Sequence, residues 1–166
     1  PLQLATPVIK AALARSGIPR EKVGKVILGN TLSPMDPNVA RKAAMTCDIP
    51  GSTPAYSVHC ACASAMQALI GGVSALVLGE AEPAVVGGVE SMSNAPFVLP
   101  ALRWGQRLRH AELRDLLWWG MQEDPIMGGM GQAADYLARE YGISREEQDE
   151  LAAGQRRKWA VFSNPL

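Results

Sequence analysis

The stretch from residue 63 to residue 78, ASAMQALIGGVSALVL, contains no charged side chain and constrains the fold more than any other part of the sequence. Its apolar residues leave hardly any polar face, which is typical of a helix buried inside a protein. Glycine costs up to about 1 kcal/mol relative to alanine in a helix, so Gly71 and Gly72 predict close approach by a neighbouring backbone. The segments AYSV at 55–58 and PAVVGGV at 83–89 flank this helix and are predicted to be strands. Strand, buried helix and strand in this order predict a βαβ unit of the α/β class, with parallel strands and a right-handed crossover.

The first part of the chain adds further elements to this unit. Residues 2–16 space their apolar groups three and four apart and are followed by Gly17, which predicts a helix with a glycine stop. KVILGN at 25–30 is a short β-branched run that suits another buried strand. Residues 31–38 contain two prolines and predict a loop, after which VARKAAMTC at 39–47 is helix-like.

The character of the sequence changes after Met92. Residues 95–129 mix prolines, glycines, tryptophans and arginines too irregularly for sheet core, and predict an excursion that covers a site or an interface. A helix ended by Gly142 follows, and Ser144 with Glu147 predicts a capping box for the last helix. We therefore divide the chain into a partial N-terminal domain with the βαβ core (1–94), a loop domain (95–143) and a helix that returns to the first domain (144–166).

The composition excludes several classes of function. Sixteen basic and sixteen acidic residues cancel, so no basic field attracts nucleic acid, and the expected partner is a small molecule or another protein. Glycines break the longest apolar stretch, which is too short for a membrane span. Three cysteines make no disulfide framework, and with no secretory leader visible they predict a reducing compartment, the cytoplasm. The chain begins at Pro1 already inside a helical pattern, so we expect further residues, including any targeting segment, beyond its ends.

Cys60 and Cys62 fall where the strand at 55–58 ends and the uncharged helix begins. This is the carboxyl edge of the sheet, where open α/β folds bind ligands. The unpaired N–H groups and the dipole of a helix N-terminus stabilise a thiolate, and Cys62 is best placed to benefit. Position alone supports the alternative equally well, because free cysteine is among the most buried residue types and often only packs.

Other chemistry at the same place is less well supported. Cys47, His59, Cys60 and Cys62 could offer metal ligands, but successive residues at a strand end point to opposite sides and no paired CxxC clusters exist, so no metal site is predicted. His59 would need a sharp bend to act as a base for Cys62 and is predicted to be a satisfied neighbour of the site. The second histidine, His110, is predicted to be exposed.

Four segments together resemble the thiolase family. SVHCACASAMQAL at 57–69 is similar to the signature in which the reactive cysteine opens a central helix, and GNTLSPMDPNVARKAA at 29–44 resembles the stretch before it. VVGGVESMSNAP at 85–96 is similar to the Gly-Gly-x-Glu-Ser-Met-Ser segment, and YGISREEQDELA at 141–152 resembles the Gly-Ile-Ser-Arg-Glu-x-Gln-Asp helix start. These segments occur in the order of the family over nearly the whole chain, whereas the cysteine segment alone would fit ketosynthases almost as well.

The resemblance implies a thiolase-like layered α/β/α sandwich in which Cys62 is the catalytic nucleophile and its backbone N–H forms part of an oxyanion hole. It implies an acyl-CoA C-acyltransferase of fatty acid metabolism that cleaves 3-ketoacyl-CoA with CoA to acetyl-CoA and a shortened acyl-CoA, or runs the reverse Claisen condensation. Coenzyme A would be a substrate, no cofactor is implied, and Met130 would lie beside the acyl pocket. A homodimer or a dimer of dimers is expected. Gly129 stands where biosynthetic members often carry histidine, which favours a degradative type and β-oxidation.

The sequence also departs from the family pattern. His59 replaces the usual asparagine, Ala65 replaces the usual glycine after Ser64, and the Gly-His-Pro, Asn-Glu-x-x and second Cys-x-Gly motifs do not occur. The chain alone therefore lacks the C-terminal catalytic histidine and cysteine and is not expected to turn over. One alternative is a non-catalytic thiolase-like fragment or split subunit that acts by partner binding. Another is a ketosynthase, which gives no reason for ESMSNAP at 90–96.

Overall fold

Three short parallel strands form the sheet at the centre of the fold. In the computed structural model, which describes residues 1–100, 102–108, 110–122 and 128–163, β1 is Lys25–Gly29, β2 is Ala55–Val58 and β3 is Ala84–Gly88. Their order in the sheet is β2-β1-β3, and Ile27 of β1 lies opposite both Tyr56 and Val86. The parallel arrangement confirms the prediction, although the two strands of the βαβ unit do not pair with each other, because β1 lies between them.

Helices cover both faces of this sheet. The helices α1 (Leu2–Ser16) and α2 (Val39–Thr46) share a core with Val26 and Leu28 of β1. Because side chains alternate along a strand, Ile27 faces the other way, toward α3 (Ser64–Val77). The first core also contains nine further buried residues: Ala5, Ile9, Val23, Val39, Ala40, Ala43, Ala44, Cys47 and Ile49. The layered α/β/α arrangement is the predicted one.

Small residues let α3 approach the sheet closely. A Cβ atom on Gly72 would lie 2.4 Å from Val86 Cγ1, and one on Gly71 would lie 3.2 Å from Ile27 Cδ1. At the other end of the helix, a Cβ atom on Gly29 would lie 2.4 Å from the carbonyl carbon of Ser64. Close approach at the paired glycines is confirmed, but the approaching atoms belong to side chains of the sheet and not to a backbone as predicted; of these three glycines, backbone approaches only Gly29 closely, where the helix begins.

The prediction that α3 is buried on all sides is wrong for its outer face. The residues toward the sheet, Ser64, Ala68, Gly72 and Ala75, are buried, but the large side chains on the opposite side are between 46% and 80% exposed. The physical reason is that a sheet covers only one face of the helix that packs on it. We call this surface the outer face of α3; it consists of Met66, Leu69, Ile70, Val73, Leu76 and Val77.

Within residues 95–129, the described part of the chain forms only short elements, in agreement with the predicted irregularity, and two longer helices follow. β4 (Phe97–Val98) pairs antiparallel with β5 (Arg114–Asp115), and α4 (Leu116–Gln122), α5 (Met130–Glu140) and α6 (Arg145–Ser163) follow. The predicted capping box is confirmed, since the amide of Ser144 donates to Glu147 Oε2 at 2.8 Å and the amide of Glu147 donates to Ser144 Oγ at 3.2 Å. Short 3-10 turns occur at Arg20–Lys22, Met92–Asn94 and Leu102–Trp104.

By internal contacts, the chain forms two compact units. The first is Pro1–Leu117, which contains the layered sheet, and the second begins at Trp118. The three-part division at 94 and 143 stays a prediction. Of the helices described, none combines the length and apolar character that a membrane crossing requires.

Candidate active site

Cys62 lies in a tight turn between the carboxyl end of β2 and the first residue of α3. We call residues 60–63 the Cys62 turn; the amide of Ala63 closes it by donating to the carbonyl of Cys60 at 3.0 Å. Both Cys60 and Cys62 are exposed and carry free thiols. Their predicted position at the carboxyl edge of the sheet is confirmed, and the alternative that they only pack is wrong.

The backbone of the turn is held in an unusual conformation. Ala61 has φ 44°, which lies in the left-handed region that residues other than glycine rarely adopt. Within the described part of the chain, the amide of Cys62 donates no hydrogen bond. That N–H group is therefore available to a ligand, beside a helix N-terminus whose dipole favours negative charge.

Ser64, the first residue of α3, ties the turn to the helix. Its side chain is buried, and its hydroxyl accepts from the amide of Cys60 at 2.8 Å while donating to the carbonyl of Ala61 at 2.6 Å. The Thr31 hydroxyl lies 3.2 Å from Ser64 Oγ and 3.3 Å from the same Ala61 carbonyl. The two residues before Cys62 are thus tied by side-chain hydroxyls to the start of α3 and to Thr31.

Glu90 organises the loop that carries Thr31. Its Oε2 accepts from the amides of Thr31 at 2.7 Å and Leu32 at 3.1 Å, and its Oε1 accepts from Asn30 Nδ2 at 3.0 Å and Ser33 Oγ at 3.4 Å. These residues directly follow β1, and Glu90 follows β3. Because β1, β2 and β3 are parallel, the segments that follow them meet at one edge of the sheet, and the Cys62 turn is one of these segments.

The remaining cysteine and the two histidines have other environments. Cys47 is buried in the core, where its thiol donates to the carbonyl of Thr6 at 3.5 Å and burial raises the pKa of the thiol above its ordinary value. His59 is exposed and its Nδ1 accepts from the amide of Ala61 at 3.3 Å, so it is a satisfied neighbour of the turn, as predicted. His110 is exposed, also as predicted.

Met130 lies in the second compact unit, as the first residue of α5, and its side chain is 59% exposed. The preceding residue, Gly129, is buried at the N-cap, and its amide donates to Gln132 Oε1 at 2.9 Å. The predicted contact of Met130 with an acyl group stays a prediction.

Sequence reasoning missed the parts played by Glu90, Thr31 and Ser64. Each of these residues lies in a segment that matched the family pattern, but nothing local to any segment shows that they contact one another. One signal was available, because a polar residue directly after each of several parallel strands belongs at the same sheet edge.

The sequence of the chain is similar to known thiolases over almost all its length. Residues 1–163 match the family model described as thiolase, N-terminal domain. The chain is 40% identical over 158 residues to an acetyl-CoA acetyltransferase of Cupriavidus necator, covering 94% of this chain and 40% of that protein. It is 36% identical over 160 residues to the beta-ketothiolase BktB of the same organism, covering 95% of this chain and 41% of that protein.

Solved structures agree with these matches. The acetyl-CoA acetyltransferase of Bacillus anthracis superposes with a TM-score of 0.86 at 42% identity, over 92% of this chain and 39% of that one. The Acat5 thiolase of Ascaris suum, solved in complex with coenzyme A, superposes with a TM-score of 0.85 at 32% identity, over 95% of this chain and 41% of that one. The chain thus spans about two fifths of the length of these relatives. It belongs to the thiolase family and matches that family's N-terminal domain.

Proposed function

We propose that this chain is the nucleophile-bearing part of an acyl-CoA C-acyltransferase. The observation that carries the proposal is the exposed Cys62 thiol, in a braced turn at the N-terminus of α3, in a chain of the thiolase family. The substrate would be a 3-ketoacyl-CoA, with CoA as the second substrate. A solved relative is described as a complex with coenzyme A, which supports this substrate class.

In this function Cys62 performs covalent catalysis. Its thiolate attacks the 3-keto carbon, a carbon–sulfur bond forms, and the bond from this carbon to the neighbouring α-carbon breaks. The electron pair of the broken bond stays on the acetyl-CoA fragment, which takes up one proton and leaves. The thiolate of a second CoA then attacks the acyl-cysteine, and the shortened acyl-CoA leaves as the Cys62 thiolate is restored. The Claisen condensation is the same sequence in reverse.

The backbone of the turn suits this chemistry. Charge develops on the carbonyl oxygen as the thiolate attacks, and preorganised N–H donors stabilise such an oxyanion. The Cys62 amide has no other hydrogen-bond partner within the described residues, so it can donate to that oxygen. The N-terminus of α3 adds a positive partial charge on the same side of the sheet.

Finer parts of the function are also proposals. Met130 would contact the acyl chain of the substrate. The degradative direction, with fatty acid β-oxidation as its setting, is supported by Gly129, where a histidine is common in biosynthetic members. We also propose a homodimer or a dimer of dimers and a cytoplasmic location, on the family resemblance and on the three free cysteines.

A second candidate is a non-catalytic role in which the chain acts by binding a partner. The specific observation in its favour is the exposed outer face of α3, because a contiguous apolar patch on a folded protein commonly marks an interaction site.

Acyl transfer to the thiol distinguishes the two candidates. We expect the natural protein incubated with acetyl-CoA to form a thioester that mass spectrometry maps to Cys62, both in the wild type and in Cys60→Ala, but not in Cys62→Ala. In the natural protein, Cys62→Ala should lower the thiolysis kcat by roughly three orders of magnitude or more, because the nucleophile is lost. Normal turnover by Cys62→Ala would contradict the proposal. Labelling of Cys62 at the rate of an ordinary exposed thiol, together with stable binding of another chain, would favour the second candidate.

A further inference from the structure

We propose that Glu90 is a positioning residue that holds the Cys62 turn in its reactive shape, acting through Thr31 and Ser64. This inference rests on the proposed function of Cys62. It assigns a role to the Glu-Ser-Met-Ser segment, which the catalytic step above does not use. Glu90 itself is 59 residues from Thr31 in sequence, so the connection exists only in the folded chain.

The Glu90 carboxylate accepts several hydrogen bonds at once. An ionised carboxylate only accepts hydrogen bonds, and Glu90 accepts four, all from neutral donors in residues 30–33. Two of them come from consecutive backbone amides, those of Thr31 and Leu32. Hydrogen bonds to a charged acceptor are stronger than neutral ones, so the carboxylate fixes the backbone at Thr31.

The next contact leads from Thr31 to the turn. With its backbone fixed, the Thr31 hydroxyl lies within 3.3 Å of both the Ala61 carbonyl and Ser64 Oγ. Ser64 Oγ donates its one proton to the Ala61 carbonyl at 2.6 Å, so toward Thr31 it acts as an acceptor. The hydroxyl proton of Thr31 is therefore directed at Ser64 Oγ and at the carbonyl oxygen of Ala61.

The backbone conformation of Ala61 requires these hydrogen bonds. Ala61 occupies the left-handed region with φ 44°, a conformation that costs an alanine roughly 1–2 kcal/mol and persists only where surrounding contacts impose it. The Ser64 hydroxyl binds Cys60 and Ala61, and the Thr31 hydroxyl lies beside the same Ala61 carbonyl. Two backbone hydrogen bonds add to these contacts, from the Ala63 amide at 3.0 Å and from the Ser64 amide at 3.1 Å. If these hydrogen bonds weaken, the side chain and the backbone amide of Cys62 both change direction.

Close packing at the strand ends makes the connection possible. A Cβ atom on Gly29 would lie 2.4 Å from the backbone of Ser64, and one on Gly88 would lie 2.7 Å from Ala65 Cβ. Two glycines thus bring the first turn of α3 against the ends of β1 and β3. The residues that follow those strands, Thr31 and Glu90, then reach the helix start.

The first test replaces the charge and keeps the shape. In Glu90→Gln, one carboxylate oxygen becomes an NH2 group that faces N–H donors. We expect the amide of Cys60, which reports on Ser64 Oγ, to exchange with solvent about fivefold faster in NMR hydrogen exchange, the factor that loss of one ordinary hydrogen bond produces. The amide of Gly24, which donates to the Pro83 carbonyl at 2.8 Å at the opposite edge, serves as the internal control and should not change.

The second test asks for rescue by a conservative variant. Thr31→Val keeps the shape of the side chain and removes the hydroxyl, whereas Thr31→Ser keeps the hydroxyl. Relative to Cys60, labelling of Cys62 by iodoacetamide should fall about fivefold in Thr31→Val and in Glu90→Gln. It should return to the wild-type ratio in Thr31→Ser. A merely structural role would change both cysteines alike.

A matched control and two separate readouts decide the outcome. Glu80→Gln removes a carboxylate that pairs with Lys25 at 2.6 Å near the amino end of the sheet, and should alter neither readout. Unchanged Cys60 exchange in both Glu90→Gln and Thr31→Val would overturn the positioning role, and so would an equal effect of Glu80→Gln. If wild-type Cys62 takes no acyl group from acetyl-CoA although Cys60 exchange responds as expected, the proposed function fails and the positioning of the turn stands.

Discussion

At the scale of single residues, the three cysteines have the same side chain but lie in different surroundings. Cys47 is 2% exposed and packs between α1 and α2, while Cys60 and Cys62 are exposed at the sheet edge. Reactivity of a thiol follows its access to solvent and its ionisation, so only the latter two are available for chemistry. One residue type therefore supplies a core contact on one side of the sheet and a candidate nucleophile at the start of the helix on the other side.

Cys47 makes stability depend on pH at the alkaline end. Burial raises its pKa in the folded state, so its contribution to stability is fully present below the unfolded pKa and is lost as pH rises through the folded pKa. We expect the unfolding free energy of the wild type to fall, relative to that of Cys47→Ala, by up to about 1.4 kcal/mol per pH unit above pH 9. Urea unfolding at several pH values measures this difference. Parallel pH curves for the two proteins would contradict it.

At the scale of elements, the contact between α3 and the sheet depends on missing side chains. Gly72 and Gly29 have no Cβ atom, and a Cβ atom at either position would lie 2.4 Å from a neighbouring atom. Helix propensity disfavours glycine, so packing and propensity oppose each other within α3. Packing decides, because the interface with β3 leaves no room for a methyl group.

Gly72→Ala should therefore destabilise the protein. The new methyl group would meet Val86 Cγ1 and force α3 away from β3, which we expect to cost about 1–3 kcal/mol in urea unfolding despite the gain in helix propensity. The matched control is Gly154→Ala in α6, where the nearest atom to the new group is 3.9 Å away and a gain of up to about 1 kcal/mol is expected. Stabilisation by both variants would show that α3 does not approach the sheet as described.

At the scale of the whole molecule, apolar side chains occupy two different environments. Ile27 is fully buried between the sheet and α3, whereas Ile70, on the outer face of α3, is 50% exposed. Burial of apolar area is the main stabilising term in folding, so these two isoleucines should contribute different amounts to the free energy of unfolding. This contrast tests whether the outer face is free in solution.

Ile27→Ala should cost about 2–5 kcal/mol, and Ile70→Ala less than about 1 kcal/mol. Chemical unfolding at low protein concentration measures both, and sedimentation at increasing concentration shows whether the outer face of α3 associates. Equal costs for the two substitutions would mean that this face is covered by another surface in solution. Weaker association of Ile70→Ala at high concentration would identify that surface as part of the interface.

How much of this could be predicted follows from the range of the interactions involved. The strands at 25–29, 55–58 and 84–88 and the helix ends at Gly17 and Gly142 depend on neighbours in sequence, and the sequence predicts them to within a residue or two. The location of Cys62 between β2 and α3 follows in the same way. The burial of α3 was predicted wrongly on its outer face, since periodicity reports that a face is apolar without reporting what covers it.

By itself, the sequence determined the order of the elements, the family and the place of the cysteine at a helix start, because these depend on local spacing and on residues that are contiguous. Only the tertiary structure decided that β1 lies between β2 and β3, and that Glu90, Thr31 and Ser64 meet beside the Cys62 turn. The reason is physical: these contacts join residues 33 to 59 positions apart, and they form only when parallel strands bring their carboxyl ends to one edge.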